Sequence, residues 1–336
     1  MARTARGDGF ASQAIRHQIY LQRYNTAVVR RMIALLNRND AALIARIQQL
    51  DPDNLTRPRL EAQLEALAEM QTRLSRDLEA KLKPDIGALA TYEAEWSAQA
   101  AISVGVRWDG PTQEQVRAAA LSRPFQGVHL RFAKLDEHLD EFGRRRGALV
   151  RDTIRKALLQ GQGVDETVRL LRGTKRLQYR DGILEGSRRG VETIVRTALN
   201  HTAAASREEV YKLNRNLVKQ IMWVSVLDSR TSPVCRARDG ELFDVDNGPR
   251  PPAHPNCRST TIPVFKGEDP IEKTTYSDWL KKQPDEFVTE LLGATKAALF
   301  RDGNLPMSKF VDASGKEYTI EQLRAREAEA FKKAGI

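Results

Sequence analysis

The chain has 336 residues, enough for two or three domains at roughly 100–200 residues each. Hydrophobic residues make up 41% and charged residues 29%, a balance that fits a soluble folded chain, and two cysteines exclude a disulfide scaffold. No apolar run approaches the ~18 residues of a membrane span, and the opening MARTARGDGF lacks an apolar signal core, so a cytosolic compartment is expected.

The net charge of +10 is unevenly spread: residues 1–50 carry 8 basic and 2 acidic groups, and residues 151–200 carry 11 and 6. Two separated basic regions suit a polyanion or an acidic protein surface, although ordinary solvated helix faces carry the same composition. The candidate contacts with DNA or an acidic surface are Arg30, Arg31, Arg144, Arg145 and Arg146.

The first 145 residues read as an elongated helical region. Ile15, Ile19, Val28, Met32, Leu35 and Leu36 recur at helical spacing, Asn39-Asp40 offers a break, and a short helix is predicted from Ala41 to Leu50. Asp51-Pro52-Asp53-Asn54 reads as a turn, and Pro58 suits the first turn of the next helix, which carries Leu60, Leu64, Leu67, Met70 and Leu74 and is predicted to end near Pro84. Another helix follows through Tyr92, Trp96 and Ile102 to a break at Gly105. These helices carry apolar stripes suited to packing and no phosphate-cradling glycine loop.

Residues 146–266 form the second unit. A helix opening at Arg144-Arg145-Arg146 runs through Val150 and Ile154, a Gly161-Gln162-Gly163 turn leads into Val164–Leu171 with Asp165 as a candidate cap, and a third helix spans Gly190 to Asn214. The period then switches: Ile221–Val226 is β-branched and aromatic, Arg238-Asp239-Gly240-Glu241 signals a turn into Leu242-Phe243, four prolines between 249 and 255 stiffen a loop, and Thr260–Val264 returns as an edge strand. Residues 267–336 form a helical extension, with a helix near Trp279–Phe300, a turn at Ser314-Gly315-Lys316 and a last helix from Thr319 to Lys333. The fold class is α+β, mainly α, with a small antiparallel sheet.

Chemistry concentrates in residues 223–263. Cys235, His254 and Cys257 converge if the segment between them folds back, and two thiolates with one imidazole are three of the four groups a tetrahedral zinc needs. Asp228 or Asp239 would be the oxygen donor for the fourth. A Cys235–Cys257 disulfide is disfavoured in the cytosol, and without metal the same residues would pin the proline loop by packing and hydrogen bonds. A metal-dependent nuclease is the competing reading, with His254 as the sole candidate base and His201 as the closest second histidine. No Gly-x-Ser-x-Gly elbow suggests a hydrolase.

This segment resembles the signature of the phage Mu F-like minor head proteins, the phage head morphogenesis family. Members carry Asp-x-Arg-Thr-Cys-x-x-Cys-x-x-Leu-Asp-Gly and then Pro-Pro-x-His-Pro-Asn-Cys-Arg-Cys. Here the first stretch runs from Asp228 through Arg230, Thr231, Ser232 and Cys235 to Asp239 and Gly240, and the second from Pro251 through His254, Asn256, Cys257 and Arg258 to Ser259. Val195-Arg196-Thr197 and Val210-Tyr211 upstream, and Trp279–Pro284, Leu292-Gly293 and Phe310-Val311-Asp312 downstream, look like further family positions. The resemblance covers about 150–325, and the first 140 residues share only their helical character.

Two family cysteines are Ser232 and Ser259 here, which weakens the expectation of metal and favours a brace of Asp228, Arg230, Asp239 and Arg258. The resemblance implies a non-enzymatic minor virion protein without a required cofactor, inside the head or at the portal vertex and in the host cytoplasm during assembly. Portal and other head proteins are the implied partners, with non-specific contact to double-stranded DNA and none to membrane. Because the family tail reaches nearly to residue 336, an added toxin domain is not expected.

Overall fold

The computed structural model describes residues 5–50, 56–128, 130–131, 133–271, 273–313 and 315–336. The turn read at Asp51–Asn54, residue Ser314 and the first four residues lie outside these. Two long helices run through the first hundred residues, α1 (Ala5–Gln48) and α2 (Arg57–Ser103). Neither breaks where local signals suggested. Asn39-Asp40 lies inside α1 because Leu36, Leu43 and Ile47 continue one fully buried stripe across it. Pro84 lies inside α2, where buried Leu82, Ile86 and Leu89 continue on both sides. Burial of that stripe outweighs the roughly 3 kcal/mol a mid-helix proline costs. Ile15 and Ile19, read as part of the stripe, face solvent.

A capping box of Thr112 and Gln115 starts α3 (Gln113–Ser122). Helix α4 (Leu135–Leu159) begins well before Arg144 and lies along α2, so the expected boundary at 145/146 falls inside a helix. The two helices approach closely at Gly143 and Gly147: a Cβ on Gly143 would sit 2.9 Å from the Ser75 side chain. Helix α5 (Val164–Arg172) takes Gly163, not Asp165, as N-cap, and Asp165 sits in the first turn, where its charge complements the helix dipole. Helix α6 (Ile183–Leu213) starts one turn and more before Gly190. Its Ala198 and Ala203–Ala205 let α1, α2 and α3 pack closely around it.

The sheet is antiparallel in the order β2-β1-β3, with β1 (Val218–Val224) between β2 (Leu242–Phe243) and β3 (Thr260–Phe265). Met222 faces Ile262 and Trp223 faces Thr261 across one ladder, and Ile221 faces Phe243 across the other. Helix α7 (Pro233–Arg238) fills the excursion between β1 and β2. Although β3 lies at the edge, all six of its residues are buried, because α1 covers it and Phe10 meets Phe265 edge-on at 6.3 Å. The N-terminal helices and the sheet therefore share one apolar core.

The extension has its own core of Tyr276, Leu280, Val288, Phe300, Phe310, Leu323 and Phe331. The helix read over Trp279–Phe300 is three: α8 (Tyr276–Lys281), α9 (Asp285–Leu292) and α10 (Ala294–Arg301), divided at Pro284 and at Gly293, whose φ is +78°. The last helix is likewise split at Glu327 into α11 (Ile320–Arg326), capped by Thr319, and α12 (Ala328–Ala334). The architecture is thus α+β and mainly α. Among the described residues, no helix is long and apolar enough to cross a membrane.

Arg146 is 3% exposed. It pairs with Asp40 of α1 and donates to Gln71 Oε1 of α2 at 2.7 Å, so it is a core residue and not a DNA contact. Burial pushes the Asp40 carboxyl up and the Arg146 guanidinium down despite their attraction. Arg146→Met, which strands Asp40, is expected to cost about 3–5 kcal/mol in urea unfolding, and adding Asp40→Leu should recover most of it.

His201, on α6 against Phe125, is pushed down to about 4 by burial and by nearby Arg123. Its ordinary value is about 6.5, so the folded state holds a neutral ring that unfolding lets protonate. The contribution is complete above pH of about 6.5 and lost as pH falls toward about 4, a change on the order of 3 kcal/mol. His201→Phe should flatten stability against pH across that window.

Candidate functional site

The end of β1 sets the site. Ser225 accepts from Trp223 Nε1 at 2.9 Å, donates to Cys235 O at 2.8 Å and lies 3.1 Å from Ser259 Oγ, joining β1, α7 and β3. The chain then turns around Asp228, whose carboxylate accepts from Arg230 N at 3.0 Å and from the Thr231 hydroxyl at 3.2 Å. Ser232 caps α7 by accepting from Cys235 N at 3.4 Å, which fixes the Cys235 side chain on the inner face. Past α7, Gly240 turns with φ of +84° and returns its N–H to Trp223 O at 2.9 Å.

The proline loop is held from two sides. On one, Val128 N donates to Ala253 O at 2.7 Å, and Gly127 allows this approach because a Cβ there would lie 2.4 Å from that same oxygen. On the other, α6 supplies a polar row. Thr193 Oγ1 accepts from Asn256 Nδ2 and Thr197 Oγ1 from Asn256 N, each at 3.1 Å, while Asn200 donates to Cys257 O. Asn256 takes a left-handed φ of +58° to make both bonds. From α1, Gln18 Nε2 donates to Arg258 O at 3.0 Å.

These anchors bring the three predicted ligands together. Cys235 Sγ lies 3.3 Å from His254 Nε2 and 3.7 Å from Cys257 Sγ. Both thiols are free and buried. Shared hydrogen bonding and burial hold the Cys235 thiol well above its ordinary value. Burial opposes ionisation of Cys257 too, but donation from Cys235 and His254 overcomes it and holds that thiol well below. Burial likewise depresses His254, yet the Cys257 sulfur beside it raises the ring above its ordinary value.

The acidic residues do not join this cluster. Asp228 takes both guanidinium nitrogens of Arg258, at 2.6 and 2.7 Å, and this donation holds its carboxyl below the usual range. Arg230 lies 3.6 Å from the same carboxylate. Asp239 is separate from that brace. Its buried carboxylate accepts from Ser225 N at 2.7 Å and from Tyr276 N and Lys273 Nζ at 2.6 Å each. Ser225, Asn200, Gln18 and Lys273 were not singled out by sequence reasoning. Asn200 alone left a trace, as a polar residue within the alanine-rich run of α6.

Residues 148–262 match the family described as phage Mu protein F like protein. Over that segment the chain is similar to the phage Mu F-like family. The Mu F-like segment runs from within α4 to the middle of β3 and holds the residues of this clasp, the network just described, apart from Gln18, Gly127, Val128, Lys273 and Tyr276. A protein of Haemophilus influenzae, described as uncharacterized, is 27% identical over 137 residues, which cover 33% of this chain and 31% of that relative. The match thus spans about a third of the relative's length. No solved structure matches.

Of the basic residues read as contacts, Arg30, Arg31, Arg144 and Arg145 are exposed. Arg31 pairs with Asp85 at 2.7 Å, and Arg144 and Arg145 both pair with Glu141, at 2.8 and 2.5 Å. Beside the Mu F-like clasp, a cleft of about 820 Å³ opens between α1, α6 and the proline loop, lined by Arg189, Arg196, Arg230 and Arg258 with Glu192.

Asp239→Ala removes the acceptor that joins the clasp to α8. The expected loss is about 3–5 kcal/mol, since half-buried Lys273 loses its counter-charge and the buried Ser225 and Tyr276 N–H groups lose their acceptor. Limited proteolysis should then cut between 266 and 275 faster than in the parent chain.

Proposed function

We propose that the chain is a minor head protein of a phage virion that acts in head morphogenesis at the portal vertex. The observation that carries this is the Mu F-like match over 148–262, the family being one of head morphogenesis. In this reading residues 146–266 dock on portal or neighbouring head proteins, α1 and α2 reach toward the capsid interior, and residues 267–336 brace the docking unit from behind. The geometry supports an architectural role for the motif. Its Asp228–Arg258 fork, its Asn256 bonds and its Asp239 acceptor each tie two elements together.

The arginine-lined cleft adds a surface with an excess of positive charge, four arginines against Glu192, fit for acidic side chains or for a phosphate backbone. Contact with packaged double-stranded DNA would be independent of sequence and would fade with salt, because each neutralised phosphate releases counterions. Arg30 and Arg189 are the exposed cations best placed for it, since neither forms an ion pair among the described residues.

Deleting the gene from a phage that encodes this chain is expected to leave heads defective and infectivity low, with the parent virion carrying the chain in few copies. Normal infectivity and its absence from purified virions would end the reading. Arg30→Glu with Arg189→Glu should weaken retention on DNA at low salt; unchanged retention would remove DNA from the list of partners.

A further inference from the structure

The triangle of Cys235, His254 and Cys257 has the dimensions of a metal site. A tetrahedral zinc ion, with bonds of about 2.3 Å to sulfur and about 2.0–2.1 Å to nitrogen, spaces two sulfurs about 3.8 Å apart and sets each about 3.6 Å from the nitrogen. Here the sulfurs are 3.7 Å apart and Cys235 Sγ is 3.3 Å from Nε2. All three ligand atoms lie within 4.8 Å of one another. The two edges from the Cys235 sulfur call for movements of a few tenths of an ångström, and the third edge, between His254 and Cys257, must settle at about 3.6 Å from a separation of at most 4.8 Å.

The imidazole is also held the right way. His254 Nδ1 lies 2.8 Å from Pro255 O, and a carbonyl only accepts, so Nδ1 keeps its proton and Nε2, on the side of the sulfurs, is the nitrogen left to bind a metal once it gives up its own. Metal-bound histidines are oriented by this kind of outer bond. The carbonyls of both cysteines are fixed as well, by Ser225 and by Asn200. On the open side of the triangle lies a small cavity of about 20 Å³, bounded in part by Ser232, Cys235, His254 and Ser259. That is room for about one water molecule.

We propose that Cys235, His254 and Cys257 bind one zinc ion, with a water on the Ser232–Ser259 side as fourth ligand. Binding releases two protons from the cluster to solvent, that of Cys235 and the one shared between His254 and Cys257, and the paired thiolates balance the charge of the ion. The ion bridges α7 to the proline loop, two segments that otherwise meet through side-chain contacts around Trp223 and Ala253. The role is structural. It is independent of the head-assembly reading, because the ligand geometry stands whatever the domain docks on.

Cobalt(II) titration of the reduced full-length chain tests this. Expected are one equivalent bound, a thiolate-to-cobalt charge-transfer band, d–d absorption of tetrahedral intensity, displacement by zinc, and a melting temperature that rises with added zinc. Cys257→Ser should lose the charge-transfer intensity and the zinc-dependent rise. Ser259→Cys, which puts a thiol on the open side, should tighten binding at least tenfold, a gain that no folding defect can mimic. The proposal is overturned if the reduced parent chain takes up no cobalt or zinc, if its cobalt spectrum survives Cys257→Ser, or if the two cysteines are found as a disulfide and remain metal-free after reduction.

Discussion

The arrangement depends on one buried carboxylate. Glu93 of α2 is fully enclosed, with His17 Nε2 of α1 at 2.5 Å and Arg207 Nη1 of α6 at 3.0 Å. His17 in turn stacks on Trp96 at 3.9 Å with the rings nearly parallel. A charge so placed is tolerable only with both partners in position, so it sets the rotation of three helices about their axes at once. From that setting follow the placement of Gln18 against the Arg258 carbonyl and of the α6 polar row against Asn256 and Cys257. The clasp is therefore assembled on a frame built largely by residues outside the Mu F-like segment.

Within the clasp, the polar groups that join its segments each have a specific acceptor or donor. Ser225 illustrates the economy: one hydroxyl serves an indole, a carbonyl and a second hydroxyl. Asp228 answers four donors from three residues. Satisfied networks of this kind specify a unique geometry because any shift leaves an unpaired group in a low-dielectric interior.

The convergence of Cys235, His254 and Cys257 was legible in the sequence because part of its cause is local, a β-branched strand, a turn at Asp239-Gly240 and a run of prolines; the anchors from α1 and α6 that complete it lie far off in the chain and were not. The mainly helical class and the small sheet followed from the same periodicities. Helix ends were less legible, and two prolines show why. Pro84 sits between buried Leu82 and Ile86, and the helix runs through it; Pro284 sits between half-buried Gln283 and exposed Asp285, and the helix stops there. The same residue type gives opposite outcomes according to how much apolar surface its neighbours bury. Arg146 was misread for a related reason, since an Arg-Arg-Arg run looks uniformly solvated, while helical geometry turns its third member inward to Asp40.

The attachment of the C-terminal extension has a mechanical consequence. Tyr276 grips the clasp twice, through its N–H on Asp239 and its hydroxyl on the Asp228 carbonyl at 2.9 Å, and these two acidic residues flank Cys235 in the chain. Tension applied to the extension would travel straight into the turn on either side of α7 instead of dissipating in a loose linker. A tug at one end of the molecule is thereby delivered to its most tightly knit part.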